Sequence, residues 1–420
     1  MRNDNFRAKY CATTISAQNI AQRQFPRKIL RGYNFLHMII GFDARPLQDR
    51  YYSGVAEYTA ALARALLQLD RTNKYIFFYN SFLSSDFGWP GAGYANAGQI
   101  RGRWPNKLLH YGLWPLLGRP RLDRKTGADV FFAPHINFLR LSKKTKLVLT
   151  VHDLSFCRFP EFFSRRQNFW HRAINLPRLL GRADRIVAIS QSTKNDLREL
   201  FNVPEQKIRV IYSGLDYPPD SQPPASREDD DGFRRRLGLP KKYLLYLGTI
   251  EPRKNIANLL VAFNIFRQQR DGRDYDLVLA GRFGFGSQKI ISAWRRNPAR
   301  DRIKFLGYVR PADKAGLYRL ADLFVYPSRY EGFGFPPLEA MAAGTPVLTS
   351  PNSSLPEVCG AAAWYADPDS PEDLAAGLTA VLSDPGLAST LRAKGFAQAA
   401  RFSWSVAACS YRSLFQEVAD

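Results

Sequence analysis

Twice along this chain, short apolar runs alternate with longer amphipathic segments, and a polar, proline-rich break separates the two series. In the first series "MIIGFDAR", "KYIFFYN", "ADVFFAP", "KLVLTVHD", "DRIVAIS" and "KIRVIYSG" read as strands. Between them "SGVAEYTAALARALLQLD" is a helix entered through Ser53 and Gly54, and "QSTKNDLRELF" is a helix with Ser190 or Ser192 as its N-cap. The stretch rich in tryptophan and proline from Trp89 to Pro120 reads as loops. The second series runs "YLLYLGT", a helix from about Asn255 to Gln269, "YDLVLAG", "IKFLGYV", a helix near Pro311 to Ala321, "LFVYPS", a helix after Pro336 and "PVLTS". Strands apolar on both faces must be covered on both faces, and helices between them do this. The expectation is α/β: two doubly wound, Rossmann-like domains facing each other across a cleft.

The break "DYPPDSQPPASREDDDGF" shows no apolar pattern, which sets the expected linker at 216–236. The expected domains are 38–215 and 237–420, the second closed by terminal helices read as a packing cap. Residues 1–37 carry seven basic residues and one acidic one without a secretory apolar core. They read as a disordered basic arm or an over-long start, with Met38 opening the folded protein. Hydrophobic residues make up 45% of the 420, enough for two cores, and no apolar run is long enough to span a bilayer. The net charge of +23 implies an anionic partner. Nucleic acid is unsupported by any motif, since the basic residues are scattered. The four cysteines lack metal-ligand spacing and read as free thiols in a reducing compartment.

Two clusters at strand ends carry the chemistry. In "SRYEGFGFPPLEAMAAGTPVLTS", Glu331 and Glu339 stand eight positions apart. Glu331 falls on the loop after a buried strand, where ligands of such sheets collect. Pro336 and Pro337 suit a helix start, Gly344 its end, and the N–H groups near Gly334 and Phe335 offer an anion site. A nucleotide-sugar would fit: diphosphate at the helix end, hydroxyls on the carboxylates. Glu339 reads equally as a favourable acidic residue in a first helical turn. The second cluster, "YLGTIEPRKN", sets Arg253 and Lys254 after a strand and the glycine turn at Gly248. An Arg–Lys pair is often a solvated basic turn, but this one lies across the same sheet edge, which favours a diphosphate contact. The spacing in "AGRFGFGS" does not match a dinucleotide fingerprint, so this segment reads as a loop lining the donor site, with Arg282 near phosphate.

"DARPL", "SGVAEYT", "VHDLSF", "AISQST", "GTIEPRKN", "FLGYV" and "YPSRYEGFGFPPLEAMAAGTPV" together resemble the GT-B retaining glycosyltransferases of family 4, a mannosyltransferase-like group, and Glu331 and Glu339 match that family's E-x7-E signature. The resemblance covers nearly everything from Met38 onward. It implies that Glu339 binds ribose hydroxyls and Glu331 those of the donor sugar, while Arg253 and Lys254 hold the diphosphate and stabilise its developing charge. It further implies donor contacts at Gly54, Gly248, Gly332, Phe333, Gly334 and Phe335, with the base near Val309. A lone histidine after a strand reads first as a core residue, but the resemblance sets His152 beside the anomeric centre. His135 in "FFAPHIN", at a similar strand end, reads as an acceptor-side contact.

The same resemblance implies retention by front-face transfer, with no metal and no cofactor beyond the nucleotide-sugar substrate. "DDD" at Asp229–Asp231 is a solvated linker run and not a metal motif. GDP-mannose is the expected donor and a saccharide or lipid-linked saccharide the expected acceptor, in polysaccharide or O-antigen assembly. UDP-sugars remain open. The stretches "RWPNKLLHYGLWPLLGRPRLDR" and "FPEFFSRRQNFWHRAINLPRLLGR" read either as helices with basic outer faces or as a surface resting on an anionic bilayer. A cytoplasmic protein, peripheral on the inner face of the membrane, is the corresponding location. The rivals are a UDP-sugar epimerase, against which the paired glutamates argue, and a catalytically silent scaffold, against which the presence of Arg253, Lys254 and Glu331 argues.

Overall fold

The computed structural model describes residues 38–49, 54–82, 89–105, 108–109, 113–114, 118–215 and 229–420. The basic extension 1–37, Ser53 and most of the expected linker lie outside these residues. The described strands belong to two sheets, β1 to β7 and β8 to β13. The chain divides into two compact units, one of 1–132, 140–146 and 408–420, the other of 133–139 and 147–407.

In the first unit β1 (Ile39–Asp43), β2 (Lys74–Asn80), β3 (Ala97–Gly102) and β4 (Val130–Ala133) pair in parallel in the order β3-β2-β1-β4. The helix Gly54–Leu69 supplies the crossover from β1 to β2, and its buried Leu62 and Leu66 lie on one face at i, i+4 spacing. The end of the last helix, Trp404–Ala419, also belongs here rather than capping the other unit. Tyr411 explains why: its ring packs edge-on to Phe132 at 5.1 Å, and its hydroxyl meets that of Tyr58 at 2.5 Å. Strand β3 falls within the stretch expected to be loop. "AGQIRG" has two glycines, little apolar surface and a half-exposed edge position, so it carries no strand signal of its own.

The second unit contains β5 (Lys146–Val151), β6 (Arg185–Ala188) and β7 (Ile208–Val210), again parallel. It also holds the whole second sheet: β8 (Tyr243–Leu247), β9 (Asp276–Ala280), β10 (Ile303–Gly307), β11 (Leu323–Tyr326), β12 (Val347–Thr349) and β13 (Ala363–Tyr365), in the order β10-β9-β8-β11-β12-β13. The short edge strand β13 was not expected. Every residue of β8 and β11 is buried, as strands covered on both faces require. Between β8 and β11 the strand order reverses, which opens a crevice at the carboxyl ends of those two strands.

The acidic run Asp229–Asp231 is solvent-exposed, as expected, but it opens a helix instead of lying in a linker. Asp229 caps the helix Asp230–Leu237 by accepting from the Gly232 N–H at 2.6 Å, Asp230 pairs with Arg319 at 2.5 Å, and Phe233 is buried. Acidic side chains at an N-terminus followed by arginines in the last turn suit the helix dipole at both ends.

Candidate active site

Beyond β8 the chain turns through Gly248 into a 3-10 turn, Pro252–Lys254, and then the helix Ile256–Gln268. Beyond β11 the loop 327–334 leads to the helix Phe335–Ala342. The two segments are sewn together. Arg329 N–H donates to the Arg253 carbonyl at 3.0 Å, and Ser350 after β12 donates to the Ser328 carbonyl. Ser354 shares its hydroxyl between the carbonyls of Phe333 at 2.7 Å and Glu331 at 3.0 Å, while Glu331 N–H donates to Ser353 at 2.8 Å. Three strand ends, β8, β11 and β12, thereby fix one glutamate.

The Glu331 carboxylate accepts from Lys254 Nζ at 2.5 Å and from Arg253 Nη1 at 3.3 Å. Lys254 also donates to the Tyr326 hydroxyl at 2.7 Å, and Arg253 is held by Glu251 at 3.0 Å. The Lys254 and Glu331 side chains are only 8% and 9% exposed, so neither charge is balanced by water. Burial alone would raise the Glu331 carboxyl, but the Lys254 ammonium and Arg253 guanidinium outweigh it and lower its pKa to about 2. Burial, then Arg253, pulls the Lys254 ammonium below its ordinary value against the opposing Glu331. Burial also works against the charged Arg253, yet Glu331, Asp153 and Glu251 hold its pKa above the ordinary value. Two cations thus sit against two carboxylates, Glu331 and Glu251, and the cluster is close to neutral.

Glu339 stands outside that cluster. It is the fifth residue of its helix, past the first turn, and accepts from the Tyr318 hydroxyl at 2.8 Å and Lys314 at 3.4 Å. The reading of Glu339 as a first-turn acid therefore falls. Pro336 and Pro337 carry no N–H, so the open donors at this helix end are those of Gly334 and Phe335, for which no described residue supplies an acceptor. The Phe333 side chain is buried against Phe335 and Phe402, leaving only its backbone for a ligand. Gly332 cannot be replaced: a Cβ there would lie 2.1 Å from the His152 carbonyl oxygen. That approach brings the "VHD" turn against the Glu331 loop within one unit.

The His152 ring donates through Nε2 to the Pro134 carbonyl at 2.7 Å, and burial holds its pKa below the ordinary value, so it is a neutral, oriented imidazole. Gly248 stands where a Cβ on Gly281 would come 1.8 Å from its carbonyl oxygen, so the ends of β8 and β9 meet backbone to backbone. Arg282 stacks over the Tyr308 ring at 4.7 Å, and Val309 follows β10. Gly54 opens its helix in the other unit, and no described residue comes within 4 Å of a Cβ placed there, so packing among the described residues does not demand glycine. Sequence reasoning missed Tyr326, Tyr330, Asp196, Ser353 and Ser354. Only Ser353 had a local oddity, a left-handed φ of 52°, and that is invisible without coordinates.

A family model described as glycosyl transferases group 1 matches residues 229–398, and one described as glycosyltransferase family 4 matches residues 52–217. The O-antigen chain mannosyltransferase B of Escherichia coli is 34% identical over 275 residues, covering 65% of this chain and 69% of that protein. Sucrose-phosphate synthase of Thermosynechococcus elongatus superposes with a TM-score of 0.69 at 21% identity, covering 90% of this chain and 98% of the other. HepE of Anabaena, solved with UDP and glucose, superposes with a TM-score of 0.66 at 20% identity, covering 91% and 100%. The chain is a glycosyltransferase with the GT-B fold, and it belongs to the group 1 glycosyltransferases.

Proposed function

We propose that this glycosyltransferase moves mannose from GDP-mannose to a hydroxyl of a saccharide acceptor carried on a lipid in O-antigen assembly. The observation that carries the reading is the buried Arg253–Lys254 pair closed over Glu331 where the strand order of the second sheet reverses. On donor binding the two cations take the diphosphate and Glu331 turns to the sugar hydroxyls. As the glycosidic bond breaks, charge grows on the leaving diphosphate oxygen, and cations already fixed there need no reorganisation. They supply the positive charge that a metal would otherwise bring, so the proposed reaction needs none. The open N–H groups of Gly334 and Phe335 add two donors to the same anion. Glu339 receives the ribose, with Tyr318 and Lys314 holding its carboxylate. Neutral His152 is suited to a sugar contact rather than to acid catalysis, and transfer occurs with retention on one face.

Mannose and the O-antigen setting are supported by the named Escherichia coli relative. No described helix is long and apolar enough to cross a membrane. The helix Arg165–Ile174, with Arg165, Arg166 and Arg172 exposed around Phe169, suits a peripheral rest on an anionic cytoplasmic face.

The test is thermal-shift binding of GDP, UDP and ADP to the wild type and to Lys254→Ala. Selective stabilisation by GDP, about 2.7 kcal/mol at a hundredfold excess over Kd and lost in the variant, is expected. A preference for UDP would move the donor to a UDP-sugar. Folded protein that responds to none of the three would sink the donor site itself.

A further inference from the structure

Tyr330 precedes Glu331 in the loop after β11, and the two side chains leave the backbone in different directions. Glu331 goes to Lys254 and Arg253; Tyr330 goes to the helix Gln191–Phe201. There its hydroxyl donates to Asp196 Oδ2 and accepts from the Leu154 N–H at 3.4 Å. Asp196 Oδ1 is itself held by Arg158, through Nε at 2.8 Å and Nη2 at 2.6 Å. Tyr330 and Asp196 are 6% and 5% exposed, and the Phe159 ring packs edge-on against Tyr330 at 5.6 Å. The Tyr330 carbonyl accepts from Arg253 Nη1 at 2.8 Å.

One residue therefore joins an anchored carboxylate on one side to the diphosphate-binding arginine on the other. Filling the space would need only a ring; the hydroxyl, its buried acceptor and the arginine behind that acceptor add direction. A buried hydroxyl–carboxylate bond is strong and short-ranged, so it fixes where the loop backbone lies. We infer that Tyr330 is a positioning residue for sugar transfer: anchored through Asp196 and Arg158, it sets the carbonyl that aims Arg253 and the backbone that presents Glu331. The inference rests on the reading of Arg253 and Glu331 as donor contacts.

The test compares full-length wild type with Tyr330→Phe, Asp196→Ala and the double variant. Turnover is measured with GDP-mannose, UDP-glucose and ADP-glucose, alongside Tm and hydrogen exchange of the loop 327–335. A misplacement near one ångström costs up to about a hundredfold, so kcat in Tyr330→Phe should fall by about ten- to a hundredfold. Donor KM should stay within about threefold, the split expected when an interaction is realised in the transition state. The double variant should be no slower than the worse single one, because both remove the same anchor. Amides of the loop should exchange at least about tenfold faster while the rest of the protein is unchanged. Turnover within about twofold of wild type, losses that multiply in the double variant, or a fall in rate that merely tracks Tm would each overturn the proposal. Should the wild type consume none of the three donors, the donor assignment fails. Hydrogen exchange then decides the anchor separately, and unchanged loop exchange overturns it.

Discussion

Lys254 is a cation that the fold keeps out of water, and a buried charge persists only when paired and hydrogen-bonded. Its partner Glu331 is the more informative of the two. With a folded pKa of about 2 against an ordinary 4.5, its ionised form stabilises the fold fully above about pH 4.5, and that contribution drains away as pH falls toward 2. At about pH 3 the wild type should have lost about 2 kcal/mol more unfolding free energy, relative to about pH 6, than Glu331→Gln has. Denaturant titrations at the two pH values check this, and equal losses would show that the pairing does not survive in solution. The same substitution frees both cations from a competing carboxylate. Nucleoside diphosphate should then bind about tenfold tighter while sugar transfer slows. Weaker binding would mean that Glu331 organises the phosphate site rather than competing for it.

At the scale of elements, the helix Gln191–Phe201 receives a second cap beyond its own Ser190. The Glu357 carboxylate, from the short helix Leu355–Cys359, accepts from Gln191 N–H at 2.6 Å, Ser192 N–H at 3.3 Å and the Tyr212 hydroxyl at 2.6 Å. An anion on a helix N-terminus is favourable, and losing a cap typically costs about 1–2 kcal/mol. Glu357→Ala should cost that much in urea unfolding; a change below about 0.5 kcal/mol would mean water replaces the cap. Nothing in the sequence marked this contact, since Glu357 and Gln191 are far apart in the chain. What could be read were elements whose burial is written into composition. β2 appears at the residues its apolar run gives, and β8, β9 and β11 lie within theirs. β3 was missed because its edge position leaves it little apolar surface, and β13 because three residues are too short a run to read as a strand. In the site, Arg253, Lys254 and Glu331 could be found because their chemistry concentrates at two strand ends. Ser353, Ser354 and Asp196 act through backbone and tertiary contacts that local pattern does not encode, and the linker reading failed at Asp229 because capping and solvation call for the same acidic residues.

Across the whole molecule the charge of +23 has no counterpart in the site, where two cations and two carboxylates nearly cancel. The excess therefore acts at the surface. On the helix Arg165–Ile174, Phe169 is 63% exposed with Arg165, Arg166 and Arg172 exposed on the same helix. Each basic residue near an anionic bilayer contributes about 1 kcal/mol, so Arg165→Ala with Arg166→Ala should weaken binding to phosphatidylglycerol-rich vesicles roughly thirtyfold. Vesicle flotation at low salt reads this, with phosphatidylcholine vesicles as the comparison. Equal binding by wild type and variant would place the contact elsewhere.

Tyr411 carries a consequence for how the protein comes off the ribosome. Its unit is otherwise built from residues up to 146, yet it is completed only by residues 408–420. Throughout synthesis of the intervening chain, Tyr58 and Phe132 wait without the aromatic partner that finally covers them. The first unit to be translated is thus the last to close, and during that interval the nascent chain offers a chaperone an aromatic face that the finished enzyme hides.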